Sequence, residues 1–244
     1  MTDGARLLLT RPEAASRRFL AACEAGWGRP IPALVSPVME IVPVPVVLAG
    51  RPAALVLTSE NGATRAGELD LSGLPAWCVG PRTADVARRA GLRPVAVARD
   101  AEGLLATILV ARPAGPLLHL RGEHGRGDLA ARLGAAGIVA SEAVAYRQQE
   151  RPPSPEARTA LDGPDSFVAP VFSPRSALLL AGWHPRAALH VVAISPAVAA
   201  AAATLCPASL VVAPHPEGSA MVEATLGRLD RLLPRRLEAN GGAD

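Results

Sequence analysis

The chain has 244 residues, half of them apolar and 19% charged, so it can form one large or two small domains and is too apolar to be disordered throughout. Its 25 basic residues are all arginine, which excludes Schiff-base chemistry, lysine-bound pyridoxal phosphate and a Walker-A phosphate loop. With a net charge of +3 and 3% aromatic residues, nothing predicts nucleic-acid binding.

The cysteines and the apolar runs point to one cellular compartment. Cys23, Cys78 and Cys206 lie far apart with no CxxC pair, so neither a disulfide framework nor a zinc site is expected. No run of about 20 apolar residues occurs, and the N-terminus lacks a signal-peptide pattern. We therefore expect a cytoplasmic protein without a membrane partner.

Strand and helix patterns alternate along the chain. Apolar runs predict strands at Arg6–Thr10, Ala53–Thr58, Pro75–Gly80, Pro116–Leu120, Phe167–Phe172 and His190–Ile194. Each precedes a helical pattern of about 10–15 residues, as at Ala14–Ala25, Ala84–Ala90, Asp128–Ala136 and Arg175–Ala181. Because these strands are apolar without alternation, the pattern predicts an α/β fold with parallel sheets buried on both faces.

The chain also repeats itself at a nearly constant offset. The paired segments are Ser59–Ala63 with Ser173–Ala177, Val79–Ala84 with Ile194–Ala199, Glu102–Gly103 with Glu217–Gly218, and Leu7–Ala22 with Leu117–Ala131. Four matches in register predict two copies of one domain of about five βα units.

Two divisions of the chain fit this repeat. Tandem halves could meet near Pro113–Pro116, or the proline-rich stretches at about 38–45 and 150–155 could be linkers, because proline cannot donate to a central β ladder. In the second division, residues 40–149 form one lobe, and residues 1–37 plus 156–234 form the other, with a cleft between them. Residues 235–244 are then expected to be a disordered tail.

Several strand-to-helix turns carry proline at the first helical position. Thr10-Arg-Pro12, Gly80-Pro81, Ser173-Pro174 and Ser195-Pro196 share this pattern, and Arg11, Arg82, Arg121 and Arg175 lie in or beside such turns. Free N–H groups and guanidinium groups at the carboxyl edge of a sheet favour an anionic ligand, although each turn alone could be an ordinary cap. No GxSxG, helix-opening GxGxxG or zinc-ligand spacing occurs, so neither a cofactor nor a metal is expected.

Taken together, the motifs resemble one family. They are LLLTRP at Leu7, TSENGA at Thr58, VGPRTADVARRAGL at Val79, LLHLRGEHGRGDLAARLGAAGI at Leu117, AVAYRQ at Ala143, FSPRSA at Phe172 and PHPEGSAMVEA at Pro214. In order and spacing they are similar to uroporphyrinogen-III synthases. The resemblance implies two flavodoxin-like lobes, each a doubly wound parallel sheet, joined by a two-stranded linker, which favours the second division above.

The resemblance further implies a cofactor-free lyase acting on hydroxymethylbilane, a linear tetrapyrrole with acetate and propionate arms. Loss of the terminal hydroxyl as water, a spiro intermediate and reclosure with ring D inverted would give uroporphyrinogen III. We expect a monomer whose partner is this small-molecule substrate, with at most a transient contact with hydroxymethylbilane synthase.

The same resemblance suggests roles for individual residues. Tyr146 matches a candidate general acid and Thr83 a hydroxyl of the first GP turn; they are the expected catalytic residues. Expected substrate-binding residues are Ser59, Arg11, Arg82, Arg121, Arg147, Ser173, Arg175 and Ser195. The turn at Ser195 departs from the family, because Ala197 and Val198 stand where hydroxyl residues are usual.

Two other functions fit the sequence. The arginine-bearing turns would equally serve a non-catalytic, two-lobed binder of a polycarboxylate or tetrapyrrole. A weaker alternative is a flavodoxin-like sensor of phosphate or a nucleotide.

Overall fold

The computed structural model describes residues 5–124 and 128–232. The strands are β1 (Arg6–Leu9), β2 (Ala33–Val35), β3 (Met39–Pro43), β4 (Ala54–Leu57), β5 (Pro75–Val79), β6 (Arg93–Ala98), β7 (Leu117–Gly122), β8 (Ala140–Glu150), β9 (Ser166–Val171), β10 (Ala188–Ala193) and β11 (Ser209–Val212). The helices are α1 (Glu13–Trp27), α2 (Glu60–Glu68), α3 (Pro81–Arg89), α4 (Ala101–Ala111), α5 (Leu129–Ala135), α6 (Pro155–Asp162), α7 (Pro174–Ala181), α8 (Pro196–Ala202) and α9 (Gly218–Leu232). The expected disordered tail at 235–244 lies outside the described residues.

The chain divides into two compact units. Unit 1 takes its residues from Met1–Glu40 and Glu150–Asp244, and unit 2 from Ile41–Gln149. One sheet has the order β11-β10-β9-β1-β2, and the other has the order β3-β8-β7-β4-β5-β6. The pairs β9–β10 and β4–β7 are parallel, as are the other central pairs, so the predicted α/β class with two parallel sheets is confirmed. Strand β3 at the edge of the second sheet runs antiparallel to β8, because the N–H of Arg151 donates to the carbonyl of Val38 and the N–H of Val44 donates to that of Ala145.

Five strands of each sheet have the same spatial arrangement. In unit 2 the chain runs through β4, β5 and β6, then returns to β7 and β8 on the other side of β4, giving the order 3-2-1-4-5. In unit 1, β9, β10 and β11 hold the positions of β4, β5 and β6, and β1 and β2 hold those of β7 and β8, although β1 and β2 come first in the chain. The predicted repeat therefore corresponds to equivalent strands. Counted in chain order, unit 1 therefore has 2-1-3-4-5, the order of flavodoxin, whereas unit 2 has the order of the first five strands of the dinucleotide-binding sheet.

Helices cover both faces of each sheet. In unit 2, α2 and α3 bury Ala63 and Ala87 with Leu57 on one face, while α4 and α5 bury Ile108 and Leu133 on the other. In unit 1, α6, α7 and α8 pack on one face, and α1 and α9 pack on the other. Burial on both faces explains why the central strands are apolar without alternation. None of the helices within the described ranges is both long and apolar enough to cross a membrane.

Several helices are shorter than the expected 10–15 residues. Helices α2 and α3 have nine residues each, α7 has eight, and α5 and α8 have seven. A nine-residue helix rises about 13 Å, which is the length of a strand of about four residues. Strand β4, on which α2 packs, has four residues, so the helix matches it in length.

Candidate functional site

The carboxyl ends of β4 and β7 form the switch point of unit 2. From β4 the chain proceeds outward to β5, and from β7 it proceeds outward to β8, so the two turns diverge from adjacent strands. Ligands of open α/β sheets bind at this position. Thr58 and Ser59 follow β4, while Arg121 and Gly122 end β7.

Two predicted site residues meet at this switch point. The hydroxyl oxygens of Ser59 and Tyr146 are 2.9 Å apart, and either can be the donor. Ser59 is also the N-cap of α2, because its Oγ accepts a hydrogen bond of 3.1 Å from the N–H of Gly62. Tyr146 is only 8% exposed and packs in the cluster that contains Leu57 and Leu120. The pair thus places a phenol at the N-terminus of a helix.

Thr58 and His119 form a second polar contact at the same strand ends. Thr58 Oγ1 lies 3.1 Å from His119 Nε2, while His119 Nδ1 is buried with no hydrogen-bond partner within the described residues. His119 is 4% exposed, and burial lowers its pKa. The negative charge of Glu142 acts in the opposite direction, and Arg121 adds to the lowering. The imidazole is therefore held neutral inside the sheet.

Lowering the pH should destabilise the folded protein through His119. An ordinary histidine has a pKa near 6.5, and since the pKa of folded His119 is lower, the unfolded chain binds more protons below about pH 6.5. This contribution is present above that pH and is lost as the pH falls toward the folded pKa. We expect the urea unfolding free energy to drop more between pH 7.5 and 5.5 in wild type than in His119→Gln. Equal drops would contradict this explanation.

Arg121 is engaged by the protein itself. Its Nη2 donates to Glu142 Oε1 at 2.7 Å, and its Nη1 donates to the carbonyl of Gly122 at 3.1 Å. Its side chain is 19% exposed. The sequence predicts that Arg121 binds a substrate carboxylate, and in this structure it is paired with the carboxylate of Glu142.

Three further predicted residues of unit 2 lie at other positions. Thr83 is 5% exposed and lies in the first turn of α3, whose N-cap Gly80 has a φ of 76° that favours glycine. Arg82 is exposed in the same turn. Arg147 is exposed on β8 directly after Tyr146. Arg82 and Arg147 are therefore the more accessible arginines of this unit's predicted set.

The switch point of unit 1 is occupied by an aromatic cluster. The guanidinium of Arg11 lies over the ring of Phe172, 4.2 Å from its centroid, and Phe19 meets the same ring edge-to-face. The β1–β9 ladder ends at Leu7–Val168, two residues before Pro170, which has no N–H to donate. Arg11 and Phe172 hold the positions that Arg121 and Thr58 hold in the other copy, so the two copies differ in chemistry at this point.

The remaining predicted residues of unit 1 lie at helix starts. Ser173 caps α7, and its Oγ is 2.8 Å from that of Ser176. Arg175 lies 3.9 Å from Glu150 in an ion pair. Ser195 caps α8, because its Oγ accepts a hydrogen bond from the N–H of Val198 at 3.4 Å, near the upper limit for such a bond. The side chain of Val198 is buried.

Comparisons with known proteins agree on one family. The family model described as uroporphyrinogen-III synthase HemD matches residues 28–223, which are 196 of the 244 residues. The crystal structure of uroporphyrinogen-III synthetase from Helicobacter pylori superimposes with a TM-score of 0.61 at 20% identity, covering 82% of this chain and 93% of that one. A mutant uroporphyrinogen III synthase from the extremely thermophilic bacterium Thermus thermophilus gives 0.49 at 19% identity, covering 93% and 100%. Comparison with curated protein sequences finds no significant match.

Proposed function

The chain belongs to the uroporphyrinogen-III synthase family, and we propose that it catalyses the reaction for which the family is named. It would take hydroxymethylbilane, remove the terminal hydroxyl as water, and close the ring with ring D inverted. The observation that carries this proposal is the contact of Tyr146 with Ser59 at the N-terminus of α2. We also place the protein in the cytoplasm as a monomer, in passing contact with hydroxymethylbilane synthase at most.

The Tyr146–Ser59 pair suits a general acid. A serine hydroxyl can accept two hydrogen bonds and donate one. Because Ser59 already accepts from the N–H of Gly62, its own hydrogen can point to the phenol oxygen. In that arrangement the proton of Tyr146 is directed outward, toward the hydroxyl that departs from the bilane. The C–O bond then breaks with release of water and leaves an electrophilic azafulvene on ring A.

The carboxylate arms of the substrate would be held by charge. Arg82 and Arg147 are the exposed arginines among the predicted binding residues of unit 2, and Arg82 lies in the first turn of α3, where N–H groups also favour anions. Thr83 remains the second catalytic residue of the proposal, and Ser173, Arg11, Arg175 and Ser195 remain as further binding residues. Arg121 would take part only if it exchanged Glu142 for the substrate.

This chemistry depends on geometry more than on reactivity. Hydroxymethylbilane closes unaided to the type I isomer, so the enzyme has to direct attack from the substituted carbon of ring D before that competing closure occurs. Holding the reacting atoms in a near-attack arrangement can supply most of such an advantage. A site with one acid and several anion-binding groups is sufficient for this.

The isomer ratio of the product tests the proposal. Hydroxymethylbilane is generated from porphobilinogen by a deaminase, the protein is added, and the products are oxidised and separated as type I and type III uroporphyrins. We expect type III to dominate with the protein and type I to dominate with deaminase alone. An unchanged type I yield would contradict a synthase, and if the bilane still bound, the protein would be the non-catalytic binder.

A further inference from the structure

Strand β8 contains one residue more than the strand that it pairs with. The β7–β8 ladder is in register from Leu117–Ala140 to Arg121–Val144, and then shifts so that Gly122 faces Tyr146. Ala145 is the extra residue, a β-bulge. Side chains on a regular strand alternate between faces, yet Ala145 and Tyr146 are consecutive and are buried in the same cluster. The bulge is thus what turns Tyr146 toward α2 and Ser59.

Arg65 on α2 holds this bulge. Its Nε donates to the carbonyl of Ala145 at 2.9 Å, and its Nη2 donates to the carbonyl of Val44 at 3.1 Å. The N–H of Val44 also donates to Ala145, at 3.0 Å. The Arg65 side chain is only 12% exposed and is paired with Glu68. A guanidinium can bridge two carbonyls in this way because its donors form a rigid fork.

Gly122 provides the surface on which the tyrosine ring rests. A Cβ at this position would lie 2.7 Å from Cε2, 2.8 Å from Cζ and 3.0 Å from the hydroxyl oxygen of Tyr146. Any larger residue would push the ring away from the strand. Since the hydroxyl is 2.9 Å from Ser59, such a displacement would break that contact.

We propose that Arg65 and Gly122 are positioning residues that, through the bulge at Ala145, set the Tyr146 hydroxyl against Ser59. The role in turnover rests on the proposed function, in which Tyr146 is the acid. The placement itself does not, because it concerns the geometry of one side chain and can be measured without substrate.

The single tyrosine of the chain allows that measurement. Tyr146 is the only tyrosine, so a protein labelled with fluorotyrosine gives one fluorine resonance, which reports its ring alone. We expect Arg65→Met and Gly122→Ala each to move this resonance. Arg88→Met, which removes a surface pair with Asp85, and Gly134→Ala, where a Cβ meets nothing within 4 Å, are the matched controls and should leave it unmoved. An unmoved resonance in Arg65→Met and Gly122→Ala would overturn the proposal.

Kinetics test whether the placement matters for turnover. Arg65→Met and Gly122→Ala should lower kcat for type III formation at least about tenfold with little change in KM, because general acids contribute about 100-fold or more. Arg65→Lys, which keeps the charge without the fork, should fall between wild type and Arg65→Met. In a Tyr146→Phe background, Arg65→Met should cause no further loss, since both changes act on one group.

The outcomes separate the two proposals. If Arg65→Met slows turnover equally with and without the phenol, Arg65 does not act through Tyr146 and the positioning role is wrong. If wild type forms no type III isomer, the proposed function fails, and the fluorine resonance still decides whether Arg65 and Gly122 place the ring.

Discussion

The Tyr146→Phe variant is expected to form type III uroporphyrinogen at least about tenfold more slowly than wild type. The substitution removes only the phenol oxygen, which lies 2.9 Å from Ser59, and leaves the ring in its cluster against Gly122. Ser59 keeps its bond to the N–H of Gly62 and still caps α2. The expected cost in unfolding free energy is that of one hydrogen bond, about 1 kcal/mol.

The measurement is the initial rate of type III formation in the coupled deaminase assay, with the type I fraction rising as spontaneous closure overtakes the slowed enzyme. Thr225→Val is the matched control. It deletes a hydroxyl too, but Thr225 is fully buried in α9 of unit 1, and its Oγ1 has no hydrogen-bond partner within the described residues. The control should keep wild-type activity. Wild-type turnover in Tyr146→Phe would remove the acid role.

Much of the fold could be predicted because its central strands are apolar and its helix starts carry recognisable caps. The predicted strand Ala53–Thr58 corresponds to β4, and the predicted helix Ala14–Ala25 lies within α1. The edge strands β6 and β11 were not predicted. In β6, with the sequence RPVAVA, half-buried and exposed residues alternate, and Pro94 near its start argues against a strand.

Strand β8 was also missed, although Tyr146 lies in it. Its 11 residues are mostly polar or exposed, and buried residues occur only around Ala145. The pattern of a strand is clearest when burial alternates regularly, and the bulge interrupts that alternation. The bulge that orients Tyr146 is therefore also the reason why the strand pattern is not recognisable in the sequence.

The sequence predicted the members of the candidate site better than their contacts. Ser59 and Tyr146 were both predicted, but 87 positions separate them, and only the strand order and the bulge bring them together. The pairing of Arg121 with Glu142 likewise depends on the register of β7 and β8, which places Glu142 beside His119. Nothing in the sequence predicts the role of Arg65, because an arginine on a short helix cannot be distinguished there from an ordinary solvated arginine.

The Leu57→Ala variant should lose about 3–5 kcal/mol of unfolding free energy, the range found when a buried leucine leaves a cavity. Leu57 is fully buried at the end of β4, between Ala63 of α2 and Leu120 of β7. Two helices already pack on this face with small residues, so little side-chain volume is free to move into the gap. A loss of this size is at least about a fifth of the stability of an ordinary domain, about 5–15 kcal/mol.

Hydrogen exchange can show where this loss falls. Leu57 belongs to unit 2, which has its own core, so amides in Ile41–Gln149 should lose protection while those of β9 and β10 keep it. Val110→Ala is the control in the same unit, because Val110 is 88% exposed on α4 and its removal should change stability by less than about 0.5 kcal/mol. If Leu57→Ala lowered amide protection in β9 and β10 as much as in β4, the two units would not be separate folding units. The shared strand arrangement would then reflect common ancestry of the two copies, but not independent cores.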